Sequence, residues 1–127
     1  MKYLTPERVL FIHSRLISET GGAHGVRDIG LLESAVGRPR ATFDRVLLYP
    51  DVFSQAAALL EALVNYHPVV DGHKQTGITA AGLFLRINGW KLICTPKSLE
   101  RVTMRLATRK LKREELALWL KQNSQAV

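Results

Sequence analysis

Residues 67–77 read His-Pro-Val-Val-Asp-Gly-His-Lys-Gln-Thr-Gly, and this polar, glycine-marked stretch joins the two most apolar helical segments of the chain. Residues 51–66 precede it and residues 76–88 follow it, and both segments carry apolar side chains on more than one face. Pro68 ends the first segment, because the residue before a proline disfavours helical geometry. A packed core does not require two histidines, an aspartate and a lysine at such a junction, so the stretch indicates a chemical role.

The composition limits the class of protein. The chain has 127 residues, 46% hydrophobic and 23% charged, as expected for one globular domain. No apolar run reaches the roughly 18 residues of a membrane span, and the first residues lack a signal peptide pattern, so we expect a cytoplasmic protein without membrane contact. The single cysteine, Cys94, excludes an internal disulfide and a cysteine-rich zinc site. The net charge of +7 favours an acidic or phosphorylated partner.

Start and stop signals predict helices on both sides of the central pair. The predicted starts lie at Thr5-Pro6, Asp28, Asp51, His73 or Lys74, Pro96, and Lys112 or Arg113. Residues 38–50 have no regular period and indicate a short surface flap with an extended turn, or an ordinary basic loop. The sequence therefore predicts an all-α fold, a single-domain bundle of about six helices with two apolar central helices. The domain is expected to span residues 1–122, followed by a short polar tail at residues 123–127.

The polar stretch has the composition of a phosphate-binding site. Gly72 precedes a predicted helix N-terminus, where unpaired N–H groups and the helix dipole attract anions. Lys74 and Thr76 add a positive charge and a hydroxyl in the first turn. Asp71 is suited to Mg²⁺, which prefers one or two carboxylates plus phosphate oxygens, and His67 is suited to act as a general base. Together these groups predict a site for phosphoryl or nucleotidyl transfer.

Two other interpretations of the stretch stay open at this point. His67, Asp71 and His73 could bind a transition metal, provided that the turn at Pro68 brings all three onto one point. Alternatively, His67 only ends one helix while Asp71 or His73 caps the next, without any chemical role.

The stretch also resembles the signature of the Fic/Doc family, whose usual form is His-Pro-Phe-x-Asp/Glu-Gly-Asn-Gly/Lys-Arg-Thr. The chain matches this signature at His67, Pro68, Asp71, Gly72, Lys74 and Thr76. A lysine at position 74 is typical of the death-on-curing (Doc) branch. Shorter matches between residues 3 and 39, another from residue 83 to residue 90, and the closing helical pair extend the resemblance over nearly the whole chain.

The resemblance implies the toxin of a type II toxin–antitoxin system, which transfers a phosphoryl group from a nucleoside triphosphate such as ATP to a threonine of translation elongation factor Tu. His67 would be the base and Asp71 would bind Mg²⁺. The phosphates would be held by Gly72, His73, Lys74 and Gln75. The implied partners are a Phd-type antitoxin and the elongation factor. The alternatives are an AMP transferase of the broader Fic kind, against which Lys74 argues, and a non-catalytic antitoxin-binding or regulatory module.

Three positions depart from the family signature. Val69 replaces the phenylalanine that packs the loop against the core, His73 replaces an asparagine, and Gln75 replaces an arginine. In the family, that asparagine and arginine help to hold the phosphates. Gln75 lacks the charge and the planar fork of a guanidinium, and one such contact contributes roughly 1.5–3 kcal/mol. A cationic His73 would keep part of the contact. The sequence therefore predicts reduced or absent activity with the fold retained.

Basic side chains recur every four residues near the end of the chain. Lys97, Arg101, Arg105 and Arg109 are expected to share one helix face, which would suit an acidic antitoxin tail or the target protein, or would only be solvated. Nucleic acid is the rival partner. No zinc finger or helix-turn-helix pattern is present and aromatic residues do not interleave with the basic ones, so we expect no direct nucleic-acid binding.

Overall fold

The structure is a computed structural model that describes residues 1–69 and 71–127. Within these residues the chain forms six α-helices, one short 3₁₀ helix and four short strands. The helices are α1 (Pro6–Thr20), α2 (Ile29–Gly37), α3 (Val52–Asn65), α4 (His73–Ile87), α5 (Pro96–Ala107) and α6 (Arg113–Gln122). The strands are β1 (Thr42–Phe43), β2 (Val46–Leu47), β3 (Trp90–Leu92) and β4 (Ser124–Ala126). The predicted helical bundle is confirmed, with two small antiparallel strand pairs added to it. None of the described helices has the length and apolar character needed to cross a membrane.

The helices begin where side chains satisfy the unpaired N–H groups of a first turn. Thr5 accepts the N–H of the third residue after it at 3.2 Å, and Asp28 makes the same contact at 3.0 Å. Asp51 accepts two N–H groups of α3, both at 2.9 Å. Helix α4 differs, because its N-cap is Gly72, which has no side chain to offer. The N-terminus of α4 is therefore available to another acceptor.

The two helices beside the polar stretch form the centre of the core, as predicted. Leu60 and Leu63 of α3 are almost fully buried, and so are Phe84 and Leu85 of α4. Helix α6 packs on the other side of α3, where Leu116 has no exposed surface. This packing fixes the relative positions of the end of α3 and the start of α4, and hence the loop between them.

The two glycines inside α4 have different roles. A Cβ on Gly77 would lie 3.0 Å from Leu60 Cδ1 and 3.3 Å from Val64 Cγ2, so the absence of a side chain lets α3 approach closely. A Cβ on Gly82 would meet only Leu92 Cδ1, at 4.0 Å. Gly77 therefore permits a close approach of side chains from α3, whereas Gly82 has no such neighbour.

This difference predicts opposite effects of the same substitution. Gly82→Ala is expected to raise the free energy of unfolding by about 1 kcal/mol, the difference in helix propensity between the two residues. Gly77→Ala is expected to lower it, because overpacking a buried contact costs about 1–3 kcal/mol and offsets that gain. Urea unfolding of both variants measures the difference, and equal stabilities would contradict the packing described here.

Residues 42–47 form the extended turn that the sequence predicts between α2 and α3. Thr42 pairs with Leu47 and Phe43 with Val46, and Asp44 and Arg45 adopt positive φ angles of 51° and 66° at the tip. Such angles are those of the tight turns that match the twist of a two-stranded hairpin. Phe43 is 76% exposed. The segment is therefore a projecting hairpin with apolar side chains in solvent.

The polar end of the chain is not a free tail. β4 pairs with β3 in antiparallel register, with Trp90 opposite Ala126 and Leu92 opposite Ser124. The Ser124 hydroxyl also donates to the carbonyl of Leu120 at 2.6 Å. The expectation of a separate polar tail after residue 122 is therefore wrong, because backbone pairing does not depend on apolar side chains. The extended piece predicted near residues 90–94 supplies the partner strand.

Candidate active site

The loop between α3 and α4 is held by two residues with left-handed backbone angles. His67 has φ 50°, a conformation that costs a non-glycine residue about 1–2 kcal/mol. Gly72 has φ 72° and ψ 24°, which glycine adopts without strain. Between them, Val69 is 2% exposed, so it fills the position of the family's phenylalanine with a smaller buried side chain. Val70 lies outside the described residues, and the expected tight turn is described only on either side of it.

A cleft of about 460 Å³ opens at the N-terminus of α4, and we call it the α4 cleft. Its lining residues are Arg27, His67, Val69, Asp71, Gly72, His73, Lys74 and Gln75. The first hydrogen bond of the helix joins the Thr76 N–H to the Gly72 carbonyl at 2.8 Å. The N–H groups of residues 73–75 therefore have no acceptor within the helix, and an anion can bind to them. The structure brings together all but one of the predicted site residues of the stretch.

Thr76 is the exception. It is 1% exposed, it does not line the α4 cleft, and its hydroxyl has no hydrogen-bond partner among the described residues. The expectation that this hydroxyl contacts a phosphate is therefore wrong for the conformation seen here. Thr76 lies one turn into α4 with its side chain buried away from the cleft, which explains the difference.

The rings of His67 and His73 lie close together. Their centroids are 4.2 Å apart, and the rings are tilted by 40°. His67 is exposed at the mouth of the cleft and His73 is half-buried. Burial lowers the pKa of His73, the positive charges of His67 and Lys74 lower it further, and Asp71 only partly opposes them. His73 is therefore neutral at neutral pH, which corrects the expectation that it could supply a cation to a phosphate.

The depressed pKa of His73 predicts how stability changes with pH. Below the ordinary histidine pKa of 6.5, the native state binds fewer protons than the unfolded state. The stability contributed by His73 is therefore fully present above this pH, and it is lost as the pH falls through the pKa of His73 in the native state. His73→Asn should therefore reduce the loss of stability between about pH 7.5 and about pH 5. Urea unfolding of the variant and the unchanged chain at both pH values measures this difference in stability. An unchanged pH dependence in the variant would contradict the lowered pKa of His73.

Asp71 is exposed and is held through both its side chain and its backbone. Its Oδ2 accepts the N–H of Ala23 at 2.9 Å, and its carbonyl is 2.7 Å from Nε2 of His13, which is 3% exposed. The carboxylate keeps its second oxygen for a ligand, and it is the one carboxylate among the described lining residues. This arrangement fits Mg²⁺, which takes one protein carboxylate together with phosphate oxygens.

The transition-metal interpretation finds no support. Among the described residues, no three histidine, cysteine or carboxylate side chains converge on a point where a metal ion could be held. His67, Asp71 and His73 all belong to the described part of the chain. They line one cleft without forming a ligand set.

Arg27 is a lining residue to which the sequence assigned no role. Its Nε donates to the His67 carbonyl at 2.6 Å, and its Nη2 donates to the Tyr66 carbonyl at 2.8 Å. The backbone N–H of Arg27 also donates to the Pro68 carbonyl at 2.8 Å. Arg27 belongs to one of the short stretches that resemble the Doc branch, but nothing in the local sequence indicated a contact 40 residues further along the chain.

The predicted basic face is only partly formed. Lys97, Arg101 and Arg105 are exposed on α5. Arg109 instead lies beyond the end of α5 with φ 60°, and it lines a cleft that the other three residues do not line. The expectation of four residues on one helix face is therefore wrong for Arg109. Arg101 and Arg105 line a cleft of about 250 Å³ together with Trp119. This surface lies between α5 and α6 and contains none of the residues that line the α4 cleft.

Comparison with known proteins places these features in a family. The sequence profile of the Fic/DOC family matches residues 3–85, which include the whole loop and the first turns of α4. The chain is 47% identical over 91 residues to a protein named Toxin Doc from Mycolicibacterium smegmatis, covering 72% of this chain and 68% of the relative. It is 33% identical over 110 residues to Protein kinase doc of Escherichia phage P1, covering 85% of this chain and 84% of the relative.

Proposed function

Because this chain belongs to the Fic/DOC family and to its Doc toxin branch, we propose that it transfers the γ-phosphoryl group of a nucleoside triphosphate to a protein hydroxyl. The observation that carries the proposal is the α4 cleft, where an uncapped helix N-terminus, an exposed histidine and one carboxylate face the same space. A phosphate chain suits this space, because N–H groups and the helix dipole favour negative charge there.

The proposed reaction assigns one step to each group. The protein hydroxyl oxygen forms a bond to the γ-phosphorus, while the bond from that phosphorus to the β–γ bridging oxygen breaks. His67 accepts the hydroxyl proton, and the nucleoside diphosphate leaves. Asp71 would hold Mg²⁺, which when bound neutralises charge on the phosphate oxygens. Gly72 lets the phosphates approach the N–H groups of the helix, and Lys74 places a positive charge beside them.

Two side chains that line the α4 cleft are expected to slow the proposed phosphoryl transfer. Gln75 lines the cleft without a charge, and His73 is neutral because its pKa is lowered. Both positions face the space assigned to the phosphates. We therefore expect a slow transferase in which the base and the metal-binding carboxylate are retained.

For partners, we propose an antitoxin of the Phd type and elongation factor Tu as the phosphorylated target. A relative named Toxin Doc supports the toxin role, and the exposed cations of α5 support an acidic partner. Lys97, Arg101 and Arg105 would contact the acidic tail of the antitoxin. This surface contains no residue of the α4 cleft, so the two partners need not compete for the same residues.

Labelled nucleotide tests the proposed reaction. The chain is incubated with Mg²⁺, elongation factor Tu and ATP labelled on either the α- or the γ-phosphate. We expect label on the elongation factor from the γ-position alone. Label from the α-position would instead identify AMP transfer. Labelling from neither position, at a protein concentration that saturates the target, would identify a non-catalytic module.

A further inference from the structure

Arg27 makes contacts that use only one edge of its guanidinium group. Nε and Nη2 donate to the carbonyls of His67 and Tyr66 at 2.6 and 2.8 Å. An arginine has five N–H donors, so three remain for another acceptor, on Nη1 and the outer side of Nη2. Arg27 is exposed, lines the α4 cleft, and forms no ion pair with a carboxylate among the described residues. Its positive charge is therefore available to an anion in the cleft.

The other polar side chains at the N-terminus of α4 do not offer a guanidinium group. Gln75 is uncharged, and Lys74 is a point charge without a planar fork. Arg27 therefore carries the one guanidinium group among the described lining residues, and Gln75, which stands where the family signature has an arginine, lines the same cleft. Its fork is suited to two oxygens of one phosphate.

The same residue also fixes the backbone of His67. The left-handed φ of His67 is unfavourable for a histidine, and the Arg27 side chain donates to the carbonyls on both sides of that turn. The N–H groups of Arg27 and Asp28 add two contacts to the Pro68 carbonyl, at 2.8 and 3.3 Å. A change at Arg27 would therefore move the ring of His67 relative to the cleft.

We propose that Arg27 binds a phosphate oxygen of the nucleotide in place of the missing arginine at position 75, and that it positions His67 through the backbone. This inference rests on the proposed function for the identity of the ligand. The binding part concerns an anion in the cleft, and the positioning part concerns the rate of the transfer step. The two parts have different readouts.

Calorimetric titration with the magnesium complex of a non-hydrolysable ATP analogue tests the binding part. Arg27→Ala is expected to weaken binding about 10- to 100-fold, the effect of one charge-assisted contact. Adding Gln75→Arg to Arg27→Ala should recover most of the affinity, because it returns a guanidinium to the cleft. Arg86→Ala is the matched control, since Arg86 is exposed near the far end of α4, about 20 Å from its start.

Arg27→Lys tests the positioning part and guards against misfolding of the alanine variant. A lysine keeps the charge but does not bridge two carbonyls while contacting phosphate. We expect kcat to fall by more than the affinity falls, with a thermal midpoint close to that of the unchanged chain. An equal kcat in Arg27→Lys would overturn the positioning role.

Unchanged affinity in Arg27→Ala would overturn the binding role. A loss that Gln75→Arg leaves unrepaired would do the same, and so would a starting chain that binds no nucleotide. A chain that binds nucleotide through Arg27 but transfers no phosphoryl group would instead remove the proposed function and leave the role of Arg27 in anion binding intact.

Discussion

His67→Asn is expected to lower the rate of phosphoryl transfer by about 10²- to 10⁴-fold, the contribution typical of a positioned general base. His67 is exposed, so the substitution removes the base without opening a cavity in the core. Asparagine is chosen because it tolerates the left-handed backbone that this position adopts. The fold and the affinity for magnesium–nucleotide should therefore stay close to those of the unchanged chain.

The measurement is single-turnover transfer to the elongation factor at saturating nucleotide. His24→Asn is a matched control, because His24 is also exposed and lies outside the α4 cleft. A transfer rate in His67→Asn within about twofold of the control would remove His67 from the reaction. A large loss accompanied by an equally large loss of nucleotide affinity would indicate a binding role instead of a base.

The second large effect is a gain. The double variant His73→Asn, Gln75→Arg is expected to raise the transfer rate by about 10- to 100-fold, because a charge-assisted contact contributes roughly 1.5–3 kcal/mol. Both side chains line the cleft, so the new asparagine and arginine face the phosphates. Replacing His73 also removes a half-buried imidazole whose pKa is lowered.

Comparing the transfer rates of the double variant and the unchanged chain measures this gain. Gln122→Arg adds the same charge at the exposed end of α6, outside the α4 cleft, and serves as the control. Equal rates in the double variant and the unchanged chain would contradict the account of reduced activity. An equal gain in the control would show that net charge, rather than a local contact, sets the rate.

Most of the fold could be predicted from local signals in the sequence. Thr5, Asp28 and Asp51 begin helices because their side chains accept the N–H groups two or three positions later. Pro68 ends α3 for a steric reason that holds in any context. Gly72 marks the start of α4, because a left-handed N-cap without a side chain is where glycine is favoured.

The features that the sequence did not predict depend on distance across the fold. The contacts of Arg27 with Tyr66 and His67 join residues about 40 positions apart, and no local pattern indicates them. β4 forms because β3 offers an unpaired edge, and the polar composition of the strand gave no signal of it. The site residues were found because the loop is short, so sequence proximity there also means proximity in space.

Backbone amide resonances of residues 72–75, followed during titration with the magnesium complex of a non-hydrolysable ATP analogue, test the central claim most directly. The account predicts that these amides shift first and saturate together, because the phosphates bind at the N-terminus of α4. The amides that line the cleft between α5 and α6 should not move. Saturable shifts confined to that second cleft, with residues 72–75 unchanged, would contradict the account.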